Sequence, residues 1–584
     1  MTKKTSTHSF HIPVMGLAFT VDSPIKIAKY GISSVVSIVD DILIENMNSF
    51  YSEKYSLPFK KYSTKDPEAR SNRITSYLNN MDTIVKQKFH DFKLSLTDKK
   101  EALDNYLELL PDISEVKKSL LKMVENNTPK GVIQKWIEEN LVPGNIDVNI
   151  MTKLDNGRMH KNEVLPSHYN DAHTALKGFA ESTLKSSIVL SAGMNPRLYS
   201  YFEQFEDFYP NEQDQLNKKI ILKVSDYRSA TIQGMFFAKK GLWVSEYRIE
   251  SGLNCGGHAF ATEGLLLGPI LDTFTENKQS LIENTFETYK GALEAKGKHV
   301  PTKLDIEITV QGGVGTAKEH QFLLDNYDVN SVGWGSPFLL VPEATTVDPD
   351  TLNVLSKAKE EDLYLSNISP LGVPFNSVKG VSNDAYKLSK LENDNIGSPC
   401  PKKFLALNRD KNGKSICTAS QKFQNSEIEK LKSEELTTAQ YKDKFKKITE
   451  KSCLCIGLAN ASLIEHDIES KFKKAGVLVC PGPNIAYFDK KVSLKNMVHH
   501  IYGKAANLTP ISRPNMFVKE LEMYVQYFNE KIEQFNICPD KKQEKYLNKF
   551  SKNLNEGILY YKSIFKDAEF INSFTKLEGK LQTF

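Results

Sequence analysis

Short apolar segments that alternate with helical stretches constrain the fold of this chain more than any other feature. Eight segments have the length and the β-branched composition of buried strands: residues 11–19, 32–39, 145–154, 186–193, 218–226, 241–247, 304–313 and 329–336. Parallel strands need a crossover between them, and eight strand–helix units close into a barrel. The pattern therefore predicts an α/β fold, a (β/α)8 TIM barrel.

Helical sequence interrupts the barrel pattern and later extends it. Residues 41–140 carry apolar residues at helical spacing, which predicts a helical insertion that covers the barrel mouth. The alternation stops after about residue 375, and residues 423–451 form a highly charged helical stretch. Apolar residues recur every three or four positions over 517–535, as in an amphipathic helix. The predicted domains are a barrel of 1–40 and 141–375, the insertion 41–140, and a mainly helical region 376–584 that contains most of the cysteines.

Charge and hydropathy exclude several classes of protein. The 76 Lys and Arg residues nearly balance the 72 Asp and Glu residues, which argues against nucleic acid or a polybasic membrane surface as the partner. No apolar run approaches the roughly 18 residues of a transmembrane helix. Seven cysteines are an odd number for a disulfide framework, so we expect a reducing cytoplasm. The short apolar stretch near the N-terminus lacks a small-residue cleavage site, which argues against secretion.

The motif GLNCGGHAF, residues 252–260, directly follows a predicted strand. Paired glycines let the backbone approach a flat ligand closely, because no Cβ intervenes. The next residue, His258, would then lie at the carboxyl end of a barrel strand, where barrel active sites form. An imidazole there is suited to moving a proton near neutral pH. The alternative is a tight turn with a surface histidine. Cys255 allows a substrate contact, although a role in filling the turn is the simpler interpretation.

Two glycine-rich turns follow the last two predicted strands. Gly312, Gly313 and Gly315 precede a helix, where backbone N–H groups and the helix dipole favour a phosphate. Gly333, Gly335 and Ser336 follow the next strand and would supply the other side of the same cradle. Barrels commonly bind phosphate between these two loops. The alternative is two ordinary glycine turns.

The order of these motifs resembles the nitronate monooxygenase (2-nitropropane dioxygenase) family of FMN-dependent barrels, which includes FMN-type enoyl-acyl-carrier-protein reductases. The resemblance covers roughly residues 11–40 and 145–375. The matching segments are Pro13 to Pro24, Asp147 to Asn149, Gly252 to His258, Gln311 to Val314 and Gly335 to Phe338. Asn254 stands where the family has Glu, which removes a charge from the motif. The insertion and the C-terminal region have no counterpart in compact family members.

The resemblance implies FMN as the cofactor. Its phosphate would lie at Gly312, Gly313, Gly333, Gly335 and Ser336. Its ring system would contact Met15, Gly16, Asn149, Lys223 and Gly257, with His258 as the acid or base. Lys223 would stabilise negative charge on the reduced flavin, and the alternative is a solvated lysine at the barrel rim.

The implied reaction is a hydride transfer through flavin N5 that oxidises or reduces a small-molecule or acyl substrate, with NAD(P)H as one candidate electron donor. A noncatalytic barrel that binds a partner through its helical additions is the alternative function. We expect neither nucleic acid nor a membrane as partner, and a homo-oligomer is one assembly that the sequence allows.

Five cysteines fall within one stretch of the C-terminal region: Cys400, Cys417, Cys453, Cys455 and Cys480. Cys400 and Cys480 are each followed by proline, a pattern found where thiolates bind iron–sulfur clusters. The CxC pair at 453–455 can direct two sulfurs to one metal. These residues are therefore candidate ligands of an Fe–S cluster or Zn²⁺. Free buried cysteines are the alternative, because the chain has no CxxC motif.

Overall fold

The computed structural model shows a closed barrel of eight parallel strands. The structure describes residues 7–160, 163–191, 193–250, 252, 256–259, 263–410, 413–505, 507–537, 539–582 and 584. The barrel strands are β1 (Phe10–Ile12), β2 (Ser33–Ser37), β3 (Ile146–Ile150), β4 (Ser187–Leu190), β5 (Lys219–Val224), β6 (Val244–Glu250), β7 (Glu307–Gln311) and β8 (Ser331–Gly333). Each strand pairs with its neighbour in sequence, and β8 closes the barrel against β1. The predicted (β/α)8 barrel is confirmed, and each strand lies within or overlaps its predicted segment.

The period of two along each strand determines which side chains enter the barrel. Val35, Val189 and Ile221 face inward and form a small apolar layer of their own. The next inward positions toward the carboxyl ends include Ser37, Lys223 and Glu250, and these side chains emerge at the mouth. Strand alternation thus determines which side chains point to the mouth, and the identity of those residues makes part of the mouth polar.

Helices surround the barrel and form the insertion. The helices between barrel strands are Ser23–Ile27, Asp171–Ala180, Pro196–Tyr201, Tyr227–Ala238, Leu267–Ala295 and Ala317–Tyr327, and Pro349–Lys357 follows β8. The insertion consists of Asp41–Lys54, Ala69–Asp98, Lys100–Leu109, Glu115–Glu125 and Lys130–Asn140. Its second half forms a separate core that packs against Tyr30, which precedes β2. That part of the insertion therefore lies toward the amino-terminal end of the barrel.

The C-terminal region is mainly helical, as predicted. Its helices are Ser382–Glu392, Gln421–Lys432, Thr438–Thr449, Leu454–Gly457, Asn460–Glu465, Leu494–Ile501, Met516–Ile537, Lys541–Ile564 and Ala568–Glu578. The charged stretch 423–451 forms two helices rather than one, because Thr437 caps the second helix with its side chain. The predicted stripe of residues 517–535 lies on the single helix Met516–Ile537. None of the described helices combines the length and the hydropathy needed to span a bilayer.

One hydrophobic core joins the barrel to the C-terminal region. Glu520 is buried, and its carboxylate accepts hydrogen bonds from the backbone N–H of Leu267 and from the hydroxyl of Tyr561. It thereby ties two C-terminal helices to the start of the long helix after β6. The antiparallel pair Leu363–Ser366 and Phe375–Val378 spans the predicted boundary at residue 375. The domain limits stay a prediction.

Candidate active site at the barrel mouth

A cavity opens at the carboxyl ends of the barrel strands, where barrel enzymes place their active sites. It contains about 870 Å³ of space free of protein atoms, including a part open to solvent. Its polar lining consists of Ser37, Asn149, Lys223, Glu250 and His258. Its apolar lining includes Met15, Met151, Phe375, Phe404, Leu405 and Leu458. The cavity is therefore largely apolar, with a few polar side chains in its lining.

Six residues that the sequence proposed for the flavin site line this one cavity: Met15, Gly16, Asn149, Lys223, Gly257 and His258. They come from the segments at the ends of β1, β3, β5 and β6, which only barrel closure brings together. No residue of the insertion 41–140 lines the cavity. Many of the apolar lining side chains come instead from residues 404–480 of the C-terminal region. Arg70 of the insertion contacts the ring of Phe404 from outside the lining, so a covering role of the insertion stays a prediction. Asn254 and Cys255 lie outside the described residues.

Lys223 belongs to a polar network at the mouth. Its ammonium forms an ion pair with the Glu250 carboxylate at 2.9 Å, and its side chain is only 15% exposed. The amide of Gln311 donates to the same carboxylate at 2.9 Å. Lys223 is therefore a positioned, paired cation and not a solvated rim lysine. Sequence reasoning missed Glu250, because the predicted strand ended at residue 247 and the real one continues to 250.

His258 is held from two sides. Its Nε2 lies 2.7 Å from the Ser369 hydroxyl, and its ring meets Phe375 edge-on at 5.0 Å between centroids. Burial lowers the pKa of His258 to about 4, so the imidazole is neutral at pH 7. Neither Ser369 nor Phe375 was found from the sequence, because both lie more than a hundred residues away and belong to no motif.

The Gly256–Gly257 pair has a different neighbour from the one that the sequence predicted. The backbone N–H of Gly257 donates to the carbonyl oxygen of Cys480 at 3.1 Å, and Gly256 forms a β-bridge with Pro481. The close backbone approach at Gly256 is therefore made by the chain itself. At Gly257, no described atom lies within 4 Å of the position of an added Cβ. The cavity side of the pair thus stays open to a ligand.

Gly256 and Gly257 offer a matched test of the close contact between Gly256 and the segment 480–482. Both have positive φ, 118° at Gly256 and 82° at Gly257, so alanine is strained at either position. Only at Gly256 would the added Cβ stand 1.9 Å from the Cys480 carbonyl oxygen. We expect Gly256→Ala to lower the free energy of unfolding by about 1–3 kcal/mol more than Gly257→Ala, the usual cost of overpacking. Equal losses in chemical denaturation would show that the 480–482 segment does not constrain Gly256.

The predicted phosphate turns lie beside the cavity but not in its lining. Gly312 and Gly313 have φ values of 101° and 81°, which only glycine adopts readily. Gly333 is part of β8, and a Cβ there would stand 2.5 Å from the Cβ of Gln311. It therefore serves the packing of the barrel interior. Gly335 and Ser336, predicted at the end of the strand, lie just after β8, and the Ser336 hydroxyl accepts from the backbone N–H of Gly482 at 2.7 Å.

Side chains of the C-terminal region hold the first predicted phosphate turn, residues 312–315, through the carbonyl oxygens of that turn. Asn484 donates to the carbonyl oxygen of Val314 at 2.6 Å, and Arg513 donates to that of Gly313 at 2.8 Å. Arg513 also forms an ion pair at 2.7 Å with Glu319, and both side chains are almost fully buried. An anion would bind the amide side of such a turn. The Asn484 and Arg513 contacts use the carbonyl side, while the N–H of Gly315 donates to the Glu319 carboxylate at 2.8 Å.

The five candidate cysteines do not share one environment. Cys417 is buried in a small apolar group against which half-buried Cys400 packs, whereas Cys453, Cys455 and Cys480 belong to the main core. Cys455 and Cys480 line the cavity, and burial raises the pKa of the Cys480 thiol to about 12. Within the described residues, no three His, Cys, Asp or Glu side chains form a ready site for one metal ion.

A charged group fills the barrel below the cavity. The Arg248 guanidinium lies 2.7 Å from Glu246 and 3.4 Å from Asp147, and all three side chains are buried. Burial, opposed by Arg248, raises the pKa of Asp147 to about 6. These residues support the floor of the site and line no part of the cavity.

Comparison with known proteins adds little to this geometry. No protein-family description matches the chain, and no curated protein is significantly similar to it. Among solved structures, the enoyl reductase domain of MlnA from the macrolactin biosynthesis cluster of Bacillus amyloliquefaciens is similar at 14% identity. The match covers 73% of this chain and 87% of that one, with a TM-score of 0.34.

Proposed function

We propose that this chain is an FMN-dependent oxidoreductase that acts on a small-molecule or acyl substrate at the barrel mouth. The observation that carries the proposal is the convergence of the six residues predicted for the flavin site, from the ends of four barrel strands, on one largely apolar cavity. Such cavities, with a few convergent polar groups, are typical of cofactor and substrate sites.

The residues present fit FMN. The ring system would lie against Met15, Gly16 and Gly257, and the open space beside Gly257 leaves room for a flat ligand. Its phosphate would be held by the turns at Gly312–Gly313 and Gly335–Ser336. FMN supplies a carrier that accepts and gives two electrons with a hydride.

The chain's own residues would supply charge and proton handling. Lys223, held by Glu250, is a fixed cation at one side of the cavity that stabilises negative charge developing there. Neutral His258 can take a proton or donate its single N–H, with Ser369 fixing the ring. The side chains of Phe404, Leu405 and Leu458 exclude water and suit an acyl chain. NAD(P)H is the electron donor that we propose to test.

Flavin content is the direct test. Purified protein is expected to show flavin absorption and to release FMN rather than FAD on denaturation. Gly313→Val should weaken FMN binding at least about tenfold, because a side chain would enter the phosphate turn. Gly297→Val is the matched control, since Gly297 also has positive φ, 62°, and ends a helix remote from the cavity lining. Colourless protein that takes up no added FMN would favour the noncatalytic scaffold. Equal FMN affinity in both variants would place the phosphate elsewhere.

A further inference from the structure

We propose that a second pocket, in the C-terminal region, binds a phosphate ligand. The pocket lies between the helices Ser382–Glu392 and Gln421–Lys432 and the end of the helix Thr438–Thr449. It contains about 330 Å³ of space free of protein atoms, including a part open to solvent. It shares no lining residue with the cavity at the barrel mouth, so this site is independent of the proposed flavin site.

Three lysines line this pocket: Lys387, Lys390 and Lys451. Lys387 and Lys390 are three positions apart on one helix and therefore share a face of it. The Lys387 ammonium donates to the carbonyl oxygen of Glu450. The Lys451 ammonium donates to the carbonyl oxygen of Asn367 at 2.6 Å. Because an ammonium has three donors, both cations keep N–H groups for a ligand.

These ammonium groups lack a counter-charge in direct contact, since none of them forms an ion pair with a carboxylate of the described residues. Burial lowers the pKa of Lys387 to about 8, and it also lowers the pKa of Lys390 and of Lys451. At Lys387, the charges of Glu450 and Asp384 oppose this effect only in part. A bound anion would supply the counter-charge, because a nearby opposite charge favours the protonated form.

Gln424 adds an unpaired acceptor to the lining of the same pocket. The residue is fully buried, and its Nε2 donates to the carbonyl oxygen of Lys451 at 3.1 Å. This contact fixes the amide, because the reverse orientation would set two oxygens against each other. The Gln424 Oε1 then has no hydrogen-bond partner among the described residues. Since leaving a buried acceptor unpaired is unfavourable, this oxygen indicates a ligand that brings a donor.

Cations beside an unpaired acceptor select one kind of anion. The lysines attract negatively charged oxygens, whereas the Gln424 oxygen needs an O–H group. Hydrogen phosphate offers both, and so does a phosphate ester with a neighbouring hydroxyl. Sulfate carries no proton at pH 7, so it would place an oxygen against the Gln424 Oε1. The pocket should therefore prefer phosphate to sulfate.

Titration calorimetry of the full-length protein with inorganic phosphate and with sulfate, at constant ionic strength, is the test. Excess FMN is present, so that the proposed flavin site does not contribute. We expect phosphate to bind at least about tenfold more tightly than sulfate, because a site built for an O–H group rejects an analogue that lacks it. Glycerol 3-phosphate in the same titration distinguishes the two sources of the phosphate group: tighter binding than that of inorganic phosphate identifies an ester, and weaker binding the free ion.

Variants assign the binding to this pocket. Lys387→Ala and Lys451→Ala should each weaken phosphate binding at least about tenfold, the usual effect of losing a hydrogen bond from a charged group. Lys430→Ala is the matched control and should bind normally, because Lys430 is an exposed lysine that pairs with Glu427 outside the pocket lining. Gln424→Leu should bring the affinities for phosphate and sulfate to about the same value, which a general loss of structure would not do.

The contrary outcomes are distinct. Folded protein that binds no phosphate, equal affinity of the unaltered protein for sulfate, or binding that survives both lysine substitutions would overturn the proposal. Flavin content is measured on the same preparations, so phosphate binding without flavin would support this site and contradict the proposed function. Flavin without phosphate binding would do the opposite.

Discussion

His258→Ala is expected to retain FMN and the fold while turnover falls by about 10²–10⁴-fold, the usual contribution of a general acid or base. The imidazole faces the cavity, and its Nε2 is fixed by Ser369 at 2.7 Å, so the variant removes a positioned proton-transfer group. Steady-state kinetics and flavin content would be measured on the same preparations. His90→Ala is the control, because His90 is an exposed histidine of the insertion. Loss of flavin in folded His258→Ala would make this residue a binding group, and unchanged turnover would exclude it from catalysis.

The pH dependence separates the two protonation states of His258. Burial places its pKa near 4, so the neutral form dominates throughout pH 5–8. If the neutral ring is the active form, kcat/KM should be flat over that range and fall only as the pH approaches 4. An inflection near pH 6.5 that disappears in His258→Ala would contradict this assignment.

The barrel was predictable because its signals are local. Each strand is a short, continuous apolar run, and buried parallel strands rarely have any other composition. Lys223 was accessible for the same reason, since a residue at the carboxyl end of a barrel strand points to the mouth, whereas Asn149 was implied only by the family resemblance. The residues on the other side of the cavity could not be predicted from such local signals.

The parts of the site that could not be predicted from the sequence depend on packing between segments far apart in the chain. Ser369 and Phe404 have no periodicity or motif to mark them. Ser369 contacts His258 from a distant segment, and Phe404 reaches the cavity only after the C-terminal region has folded onto the barrel. The insertion illustrates the same limit. Its position in the chain predicted a lid, but the apolar side chains of its second half pack against Tyr30 at the other end of the barrel. Chain order alone does not determine which end of a barrel an insertion covers.

The attachment of the C-terminal region to the phosphate turn is expected to depend on Arg513. Its guanidinium bonds to Glu319, to Asn484 and to the carbonyl oxygen of Gly313, and its side chain is 4% exposed. Arg513→Ala leaves the Glu319 carboxylate buried without its partner, which typically costs about 3–5 kcal/mol of stability. The same change should weaken FMN binding, because the turn loses the side chain that bonds to the carbonyl oxygen of Gly313.

Further variants distinguish the stability lost with this ion pair from the stability lost through general damage to the fold. Arg409→Ala, an exposed arginine of the same region whose guanidinium donates to the carbonyl oxygen of Gly413, should change the free energy of unfolding by less than about 0.5 kcal/mol. Combining Arg513→Ala with Glu319→Gln should recover part of the loss, because the glutamine no longer leaves a buried charge unpaired. Chemical denaturation of the parent protein, Arg513→Ala, Glu319→Gln and the double variant completes the cycle. If Arg513→Ala costs no more than Arg409→Ala, the C-terminal region is held to the phosphate turn by its apolar core instead of by this ion pair.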